Sequence, residues 1–137
     1  MEWYPTLWPW MHIVGRILFS AIFITSGISH LTKTQMMAGY AQSRGAPAPT
    51  ASVVLSGIMI LVGGVLVLLG WHRFIGAGLI FVPVVMFAVV IHPYWREKDP
   101  MARAGEKAHF MKDLALAGAA LLIACNSGAY WPMSLGG

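Results

Sequence analysis

Five ionisable side chains that could do chemistry lie in or beside the apolar segments of this 137-residue chain. They are His30, His92, His109, Lys112 and Asp113, and the aromatic residues Tyr94 and Trp95 follow directly after His92-Pro93. Ionisable groups at membrane depth are costly, so each is a candidate functional residue. Histidine can hydrogen-bond a carbonyl and move protons near neutral pH, and aromatic rings can cover a flat ligand. These residue types suit a quinone headgroup or another lipid-like ligand. The simpler interpretation is that these side chains lie at the boundary between membrane and water and form hydrogen bonds and ion pairs with one another.

The composition assigns the chain to the integral membrane proteins. Hydrophobic residues make up 58% of it and charged residues 10%, and the mean hydropathy is +0.69. A soluble domain carries about 25% charged residues, so too few charges are present to cover a soluble surface. A spanning helix needs about 20 mostly apolar residues. We therefore predict one domain over residues 1–137, an all-α polytopic membrane four-helix bundle with helices at about 10–31, 50–71, 74–94 and 108–125.

The segments between the predicted spans differ in character. Residues 1–10 are rich in tryptophan and contain two prolines, which predicts an interfacial collar that is not helical. A short interfacial helix is predicted over about 34–43, with Thr34 as its cap and with Met36, Met37 and Tyr40 against the bilayer. Residues 95–108 are the most charged stretch, which predicts a solvated loop.

One face of the first span is polar or small, namely Arg16, Ser20, Phe23, Gly27 and His30. Such a stripe on a spanning helix should face the bundle. At 1.5 Å per residue, Arg16 and His30 are about 21 Å apart along the axis, so they belong to opposite membrane faces. For the Arg16 guanidinium itself, snorkelling to the headgroups is favoured over burial. Pro83 is expected to bend the third span.

Four spans place the two termini and the turn at Arg73 on one side of the membrane. The other two connections share the opposite side, where His30, His92 and the start of the fourth helix converge. His109 and Asp113 are four residues apart on one helix, so the Asp113 carboxylate is expected to accept the His109 N–H. Most lysines and arginines lie on this second side, and the positive-inside rule therefore predicts both termini outside the cytoplasm.

Other chemistries have less support. Cys125 is the single cysteine, which excludes an intramolecular disulfide and a C-x-x-C redox motif. A haem with His30 and His92 as axial ligands, or a metal held by His30, His92 and His109, is a less favoured alternative, because no His-x-x-x-His pair lies on one helix and Lys112 would repel a cation. A hydrolase is disfavoured because these histidines have no neighbouring serine in a nucleophile motif. The basic residues are orientation signals in boundary loops, so no nucleic-acid partner is expected.

Several short motifs, in this order and spacing, resemble the DoxX family of small four-helix membrane proteins. They are Gly15-Arg16-Ile17-Leu18-Phe19 with Ser26-Gly27, the connection Tyr40 to Pro49, Gly63-Gly64, His92-Pro93-Tyr94-Trp95, and His109-Phe110-Met111-Lys112-Asp113-Leu114-Ala115-Leu116. The resemblance covers about residues 14–125. The chain departs from many relatives in two places: Ile60-Leu61-Val62 replaces a segment with a glutamate, and His30 stands near the position of a lysine.

The resemblance implies a multi-pass protein of the bacterial or archaeal inner membrane that is linked to membrane redox work. The family's namesakes are subunits of a thiosulfate:quinone oxidoreductase. An auxiliary subunit of a quinone-linked membrane oxidoreductase is therefore expected, with a partner subunit or a second copy as its protein partner and quinone as its cofactor. Whether the chain is itself an enzyme stays open. The alternative is a non-catalytic scaffold or oligomerisation module that associates through glycine- and alanine-rich faces.

Overall fold

The computed structural model describes residues 4–136 of the chain, and side-chain surroundings from residue 6 onward. Its helices are α1 (Tyr4–Thr32), α2 (Thr34–Ser43), α3 (Pro49–Leu69), α4 (Arg73–Met86) and α5 (Pro100–Cys125). A π-helical turn, Phe87–Ile91, continues α4, and a 3-10 turn, Tyr94–Arg96, follows it. Four segments are long and apolar enough to cross a membrane: Thr6–Thr32, Pro49–Leu69, Arg73–Arg96 and Pro100–Cys125. The predicted all-α membrane bundle with a short helix between its first two spans is confirmed.

The spans pack in the order α1 on α3, α3 on α4 and α4 on α5, and α2 lies against α3. All four spans contribute to one apolar core, whose buried members include Phe23, Ile60, Val67, Ile80, Val84 and Ala120. Many large apolar side chains point outward instead, among them Leu18, Leu55, Phe74 and Leu122. An exterior of this kind is suited to lipid, because a bilayer does not penalise exposed hydrocarbon.

Glycines let the helices approach closely in two places. A Cβ atom added to Gly63 of α3 would lie 2.8 Å from the carbonyl oxygen of Gly76 in α4. A Cβ atom added to Gly27 of α1 would lie 2.9 Å from the carbonyl oxygen of Gly57 in α3. Small residues at these positions therefore let the backbones meet, and the two contacts hold α3 between its neighbours.

The predicted stripe on the first span faces the bundle. All five of its members are buried: Arg16, Ser20, Phe23, Gly27 and His30. The prediction that Arg16 snorkels to the headgroups was wrong, because its side chain is 6% exposed and its Nη2 donates to the carbonyl oxygens of Pro132 and Met133, each at 3.1 Å. The C-terminal tail packs against this end of the bundle and supplies both carbonyl acceptors. The sequence of the first helix alone could not predict these partners.

Both ends of the chain meet at one end of the bundle, as predicted. The rings of Trp8 and Tyr130 stack with centroids 6.0 Å apart, and those of His12 and Trp131 are 4.7 Å apart. We call this the Arg16 end and the opposite end the His92 end. Residues 1–3 of the predicted collar lie outside the described residues, but the prediction of a non-helical start was wrong from Tyr4 onward. Pro9 removes one hydrogen bond close to the helix terminus, which the helix tolerates.

Three further element predictions needed correction at the His92 end. The third span does not continue as one α-helix to position 94, because the α4 segment passes into the π-helical turn and the chain breaks at His92 and Pro93. Proline lacks an N–H and restricts the residue before it, which ends the helix. The predicted loop over 95–108 is largely helix: α5 begins at Pro100, and the Asp99 carboxylate caps it by accepting from the Ala102 amide at 2.8 Å. Thr34 is not the cap of α2, since its hydroxyl donates to the His30 carbonyl of the preceding helix at 2.7 Å.

Candidate functional site

A cavity of about 680 Å³ lies at the His92 end, where all five helices contribute to its wall. The face of α2 predicted to lie against the bilayer forms part of this wall through Met36, Met37 and Tyr40. Most of the lining is apolar, and the polar lining side chains are Ser26, His30, Tyr40, Ser52, Ser56, His92, Lys112 and Asp113. An apolar cavity with a few convergent polar groups is the usual form of a small-molecule site.

The cavity lies beyond the closest contact between α3 and α4, on the side of the His92 end. They touch at Gly63 and Gly76, near their connecting turn, whereas further along both helices line the same cavity. Its lining includes Leu55 of α3, which is 61% exposed, and Met86 of α4, which is 50% exposed. Because both side chains line the cavity and are also exposed, the cavity reaches the apolar exterior of the bundle beside them.

His30 enters the cavity from α1. Its Nδ1 lies 2.8 Å from the Ser26 carbonyl oxygen, and a carbonyl only accepts, so Nδ1 carries the hydrogen. The neutral ring then has its lone pair on Nε2. Gly57 of α3 makes room for the side chain, because a Cβ atom there would lie 2.5 Å from the His30 Cβ. The site therefore contains a histidine held in one tautomer, with its free nitrogen available to a cavity occupant.

His92 lies between two carboxylates contributed by α5. Its Nδ1 is 2.8 Å from Oε2 of Glu106, and its Nε2 is 3.9 Å from Oδ2 of Asp113. The second distance is too long for a direct hydrogen bond. A small movement of either side chain, or a bridging water molecule, would connect the two groups. The rings of His92 and His109 stack at 5.0 Å. His92 thus connects a partly exposed carboxylate with one in the cavity wall.

Asp113 is the most deeply buried acid of the site, at 4% exposure. Its Oδ1 lies 3.3 Å from Nζ of Lys112, while Oδ2 is buried without a hydrogen-bond partner in the described part of the chain. The prediction that Asp113 accepts the N–H of His109 was wrong: the carboxylate faces Lys112 and His92, and His109 is exposed. A buried acceptor without a partner at a cavity wall is suited to a ligand hydroxyl or a proton.

Arg44, which the sequence interpretation passed over, ties the interfacial helix to the site. Its Nη1 lies 2.7 Å from Oε1 of Glu97 and its Nη2 lies 3.3 Å from Oε2 of Glu106. Its Nε donates to the Ile91 carbonyl at 2.7 Å. The hydrogen bond to Glu97 raises the pKa of Arg44, and burial raises the pKa of the nearby Tyr40 hydroxyl. Arg44 therefore stays charged and fastens α2 across the end of the cavity.

Glu106 was also passed over, although the sequence contains the signal for it. Asp99-Pro100 is the common pair of a capping acid followed by proline at the first helical position. A helix started there places Glu106, His109 and Asp113 on one face, because they are spaced three and four residues apart. Arg44 has no comparable local signal, since its partners are 47 and 53 residues away in the chain.

The predicted site residues divide into two groups. His30, His92, Lys112 and Asp113 line the cavity, whereas Tyr94, Trp95 and His109 do not. Tyr94 and Trp95 form an aromatic cluster with Phe110 instead, with ring centroids 5.3 to 5.7 Å apart. Among the described residues, no group of three or more histidine, cysteine or acidic side chains has the arrangement of a metal site.

Comparison with known proteins agrees with this architecture. The DoxX family model matches residues 11–93. The inner membrane protein YphA of Escherichia coli (strain K12) is 28% identical over 116 residues, which cover 85% of this chain and 82% of that protein. No solved structure matches. The family match contains His30, Arg44 and His92 and stops before α5, so the acids that flank His92 lie beyond it.

Proposed function

The chain belongs to the DoxX family of integral membrane proteins, and on that premise we propose that it binds a lipid-soluble quinone at its His92 end. We further propose that it does so as an auxiliary subunit of a quinone-linked membrane oxidoreductase. The observation that carries the proposal is a single cavity whose lining includes both the outward-exposed apolar side chains Leu55 and Met86 and the polar side chains of His30, His92 and Asp113. A bound quinone would take up electrons from a donor in a partner subunit and protons at its carbonyl oxygens.

The dimensions and lining of the cavity support this ligand class. Small-molecule sites have volumes of roughly 300–1,000 Å³ and mostly apolar walls, and this cavity has about 680 Å³. An opening beside the exposed Leu55 and Met86 would admit a hydrophobic ligand from the bilayer without passage through water. Aromatic contact with the ligand ring would come from Phe87 and Tyr40, in place of the predicted Tyr94 and Trp95.

The polar groups of the wall can hold the two oxygen atoms of such a ring. Nε2 of His30 is free to accept a hydroxyl hydrogen, or to donate to a carbonyl once the ring is protonated. The Lys112 ammonium is a donor with the Asp113 carboxylate beside it at 3.3 Å. His30 comes from α1 and the Lys112–Asp113 pair from α5, so the ligand would bridge opposite walls of the cavity.

Glu106, His92 and Asp113 supply a route for protons between the cavity and water. A proton from the water passes from Glu106 to Nδ1 of His92, 2.8 Å away, and the ring then releases the proton on Nε2 to Asp113 beside the ligand. The total charge of the three groups is the same before and after each transfer. Ring rotation or tautomer exchange then returns the imidazole to its starting state. Burial increases along this route, since the side chain of Glu106 is 18% exposed and that of Asp113 is 6% exposed.

Extraction and direct binding test the proposal. Protein purified from native membranes in mild detergent should yield quinone on organic extraction, and the stripped protein should bind a short-chain quinone with quenching of tryptophan fluorescence. His30→Gln should weaken this binding about tenfold, because one hydrogen bond at the buried headgroup is lost. An extract without quinone, together with a stripped protein that binds none, would overturn the proposal and leave the non-catalytic scaffold as the account of this chain.

A further inference from the structure

We propose that Asp113 makes the cavity at the His92 end selective for the reduced form of its ligand, so that a quinol binds more tightly than the corresponding quinone. This selectivity rests on the proposed function, since it concerns the redox form of the ligand in the same site. Its physical basis is the supply of hydrogen-bond donors and acceptors in the cavity wall.

The two redox forms differ in the hydrogen bonds that they can make. A quinone has two carbonyl oxygens, which only accept hydrogen bonds. Uptake of two electrons and two protons converts them into the two hydroxyl groups of a quinol, and each hydroxyl can donate one hydrogen bond and also accept. A donor in the wall can therefore bond to either form, whereas an acceptor in the wall can bond only to the quinol.

The donors of the cavity wall do not distinguish the two forms. The Lys112 side chain is 45% exposed, and its ammonium lies 3.3 Å from Oδ1 of Asp113 and keeps further hydrogens for a ligand oxygen. The hydroxyl groups of Ser26 and Tyr40, which also line the cavity, can donate or accept. His30 serves either form too, because its Nε2 accepts in the neutral ring and donates in the protonated ring.

The Asp113 carboxylate distinguishes the two forms, because an ionised carboxylate only accepts. Its side chain is 6% exposed and lines the cavity, and Oδ2 is buried with no hydrogen-bond partner among the described residues. Nε2 of His92 is 3.9 Å from Oδ2, which is too long for a hydrogen bond. A buried acceptor without a partner costs free energy. A quinol hydroxyl that donates to Oδ2 removes this cost, whereas a quinone carbonyl would place two acceptors face to face.

Selective binding of the quinol changes the redox properties of the bound ligand. A hydrogen bond to a charged acceptor corresponds to about tenfold or more in affinity. For a two-electron couple, tenfold tighter binding of the reduced form raises the midpoint potential by about 30 mV. The bound quinone would then be a stronger oxidant than quinone in the bilayer, which favours electron uptake from the donor in a partner subunit.

Calorimetric titration under argon tests the selectivity with duroquinone (tetramethyl-1,4-benzoquinone) and its reduced form, duroquinol. The probes are added to the stripped full-length protein in mild detergent at neutral pH, and their partition into protein-free micelles is subtracted. The wild type should bind duroquinol about tenfold more tightly than duroquinone. The dimethyl ether of duroquinol has the same ring but no hydroxyl hydrogen, so it should bind no more tightly than duroquinone.

Two variants assign the selectivity to one carboxylate. Asp113→Asn replaces the acceptor with an amide that can also donate to a carbonyl, so the difference between the two forms should fall below about twofold. Glu97→Gln is the matched control, because Glu97 is an acid of the same end that contacts Arg44 and does not line the cavity. This variant should keep the tenfold difference of the wild type.

The wild-type comparison decides the question even where Asp113→Asn does not fold. Equal binding of the two redox forms by the wild type would overturn the selectivity and leave the proposed quinone site intact. Binding of neither form would overturn the proposed function and the selectivity together. A tenfold difference that persists in Asp113→Asn, or a dimethyl ether that binds as tightly as duroquinol, would overturn the role of Asp113.

Discussion

The imidazole of His92 bridges to Glu106, with its Nδ1 2.8 Å from Oε2 of that carboxylate. The opposite nitrogen of the same ring faces Asp113, whose Oδ2 is buried without a partner in the described part of the chain. One histidine therefore stands between an acid near the water and an acid of an apolar cavity.

Proton exchange of Asp113 should depend on Glu106. Glu106→Gln removes the acceptor on the outer side of His92, so the rate at which Asp113 gains or loses a proton after a pH jump should fall about tenfold or more. Time-resolved infrared spectroscopy of the protonated carboxyl measures the rate, with the band assigned by its loss in Asp113→Asn. Glu97→Gln is the matched control, because it removes an acid that contacts Arg44 and not His92. An unchanged rate in Glu106→Gln would mean that water reaches Asp113 by another route.

Filling the cavity should abolish quinone binding without loss of the fold. Ser56 lines the cavity, so Ser56→Phe places a ring inside it. Ile58 lies on the same helix and is 46% exposed outside the cavity lining, so Ile58→Phe adds a similar volume to the lipid-facing surface. Binding of a short-chain quinone, followed by tryptophan fluorescence, should be lost in the first variant and kept in the second. Equal binding by both would place the ligand elsewhere.

Loss of Arg44 should loosen α2. Arg44→Met removes contacts to Glu97, Glu106 and the Ile91 carbonyl, and it leaves two partly buried carboxylates without their cation. We expect the free energy of unfolding in detergent to fall by about 2–3 kcal/mol and the amides of α2 to exchange faster. Arg96→Met, which changes an exposed arginine, should have little effect. Unaltered exchange in α2 would show that its apolar contacts with α3 suffice to hold it.

The contact between Gly63 and Gly76 should tolerate no added methyl group. In Gly63→Ala the new Cβ atom would lie 2.8 Å from the backbone oxygen of Gly76 and 2.9 Å from Ile80, so α3 and α4 must move apart. A loss of about 1–3 kcal/mol in the free energy of unfolding is expected. Gly118→Ala is the control, because its added Cβ atom meets nothing within 4 Å. Similar stabilities for the two variants would contradict the close approach.

Orientation can be read from single cysteines. In a Cys125→Ser background, a cysteine at Lys98 marks the His92 end and a cysteine at Gly136 marks the Arg16 end. The positive-inside rule predicts that an impermeant thiol reagent added outside intact cells labels position 136 and not position 98. The reverse pattern would invert the predicted orientation and place the His92 cavity at the outer face of the membrane.

Hydrophobicity and helical spacing in the sequence were enough to determine the transmembrane helices of this protein and their order. They predicted four spans, the short helix between the first two, and the inward stripe from Arg16 to His30, because burial in a membrane depends mainly on residue type and helical period. The convergence of His30 and His92 at one end followed from counting spans. These properties are local, so no knowledge of the packing was needed.

Only the tertiary structure decided which polar groups meet. The Arg44 guanidinium finds its acids 53 and 62 positions later in the chain, and Arg16 finds its carbonyl acceptors in the tail. In the π-helical turn, the His92 amide donates to the Phe87 carbonyl, five residues earlier, at 3.1 Å. This bond shifts the helical register by one residue compared with an α-helix, and the shift sets the position of the His92 ring. Whether two side chains far apart in the chain meet depends on the depth and rotation of the helices that contain them and on the distance between those helices. The spacing of residues along one helix does not contain that information.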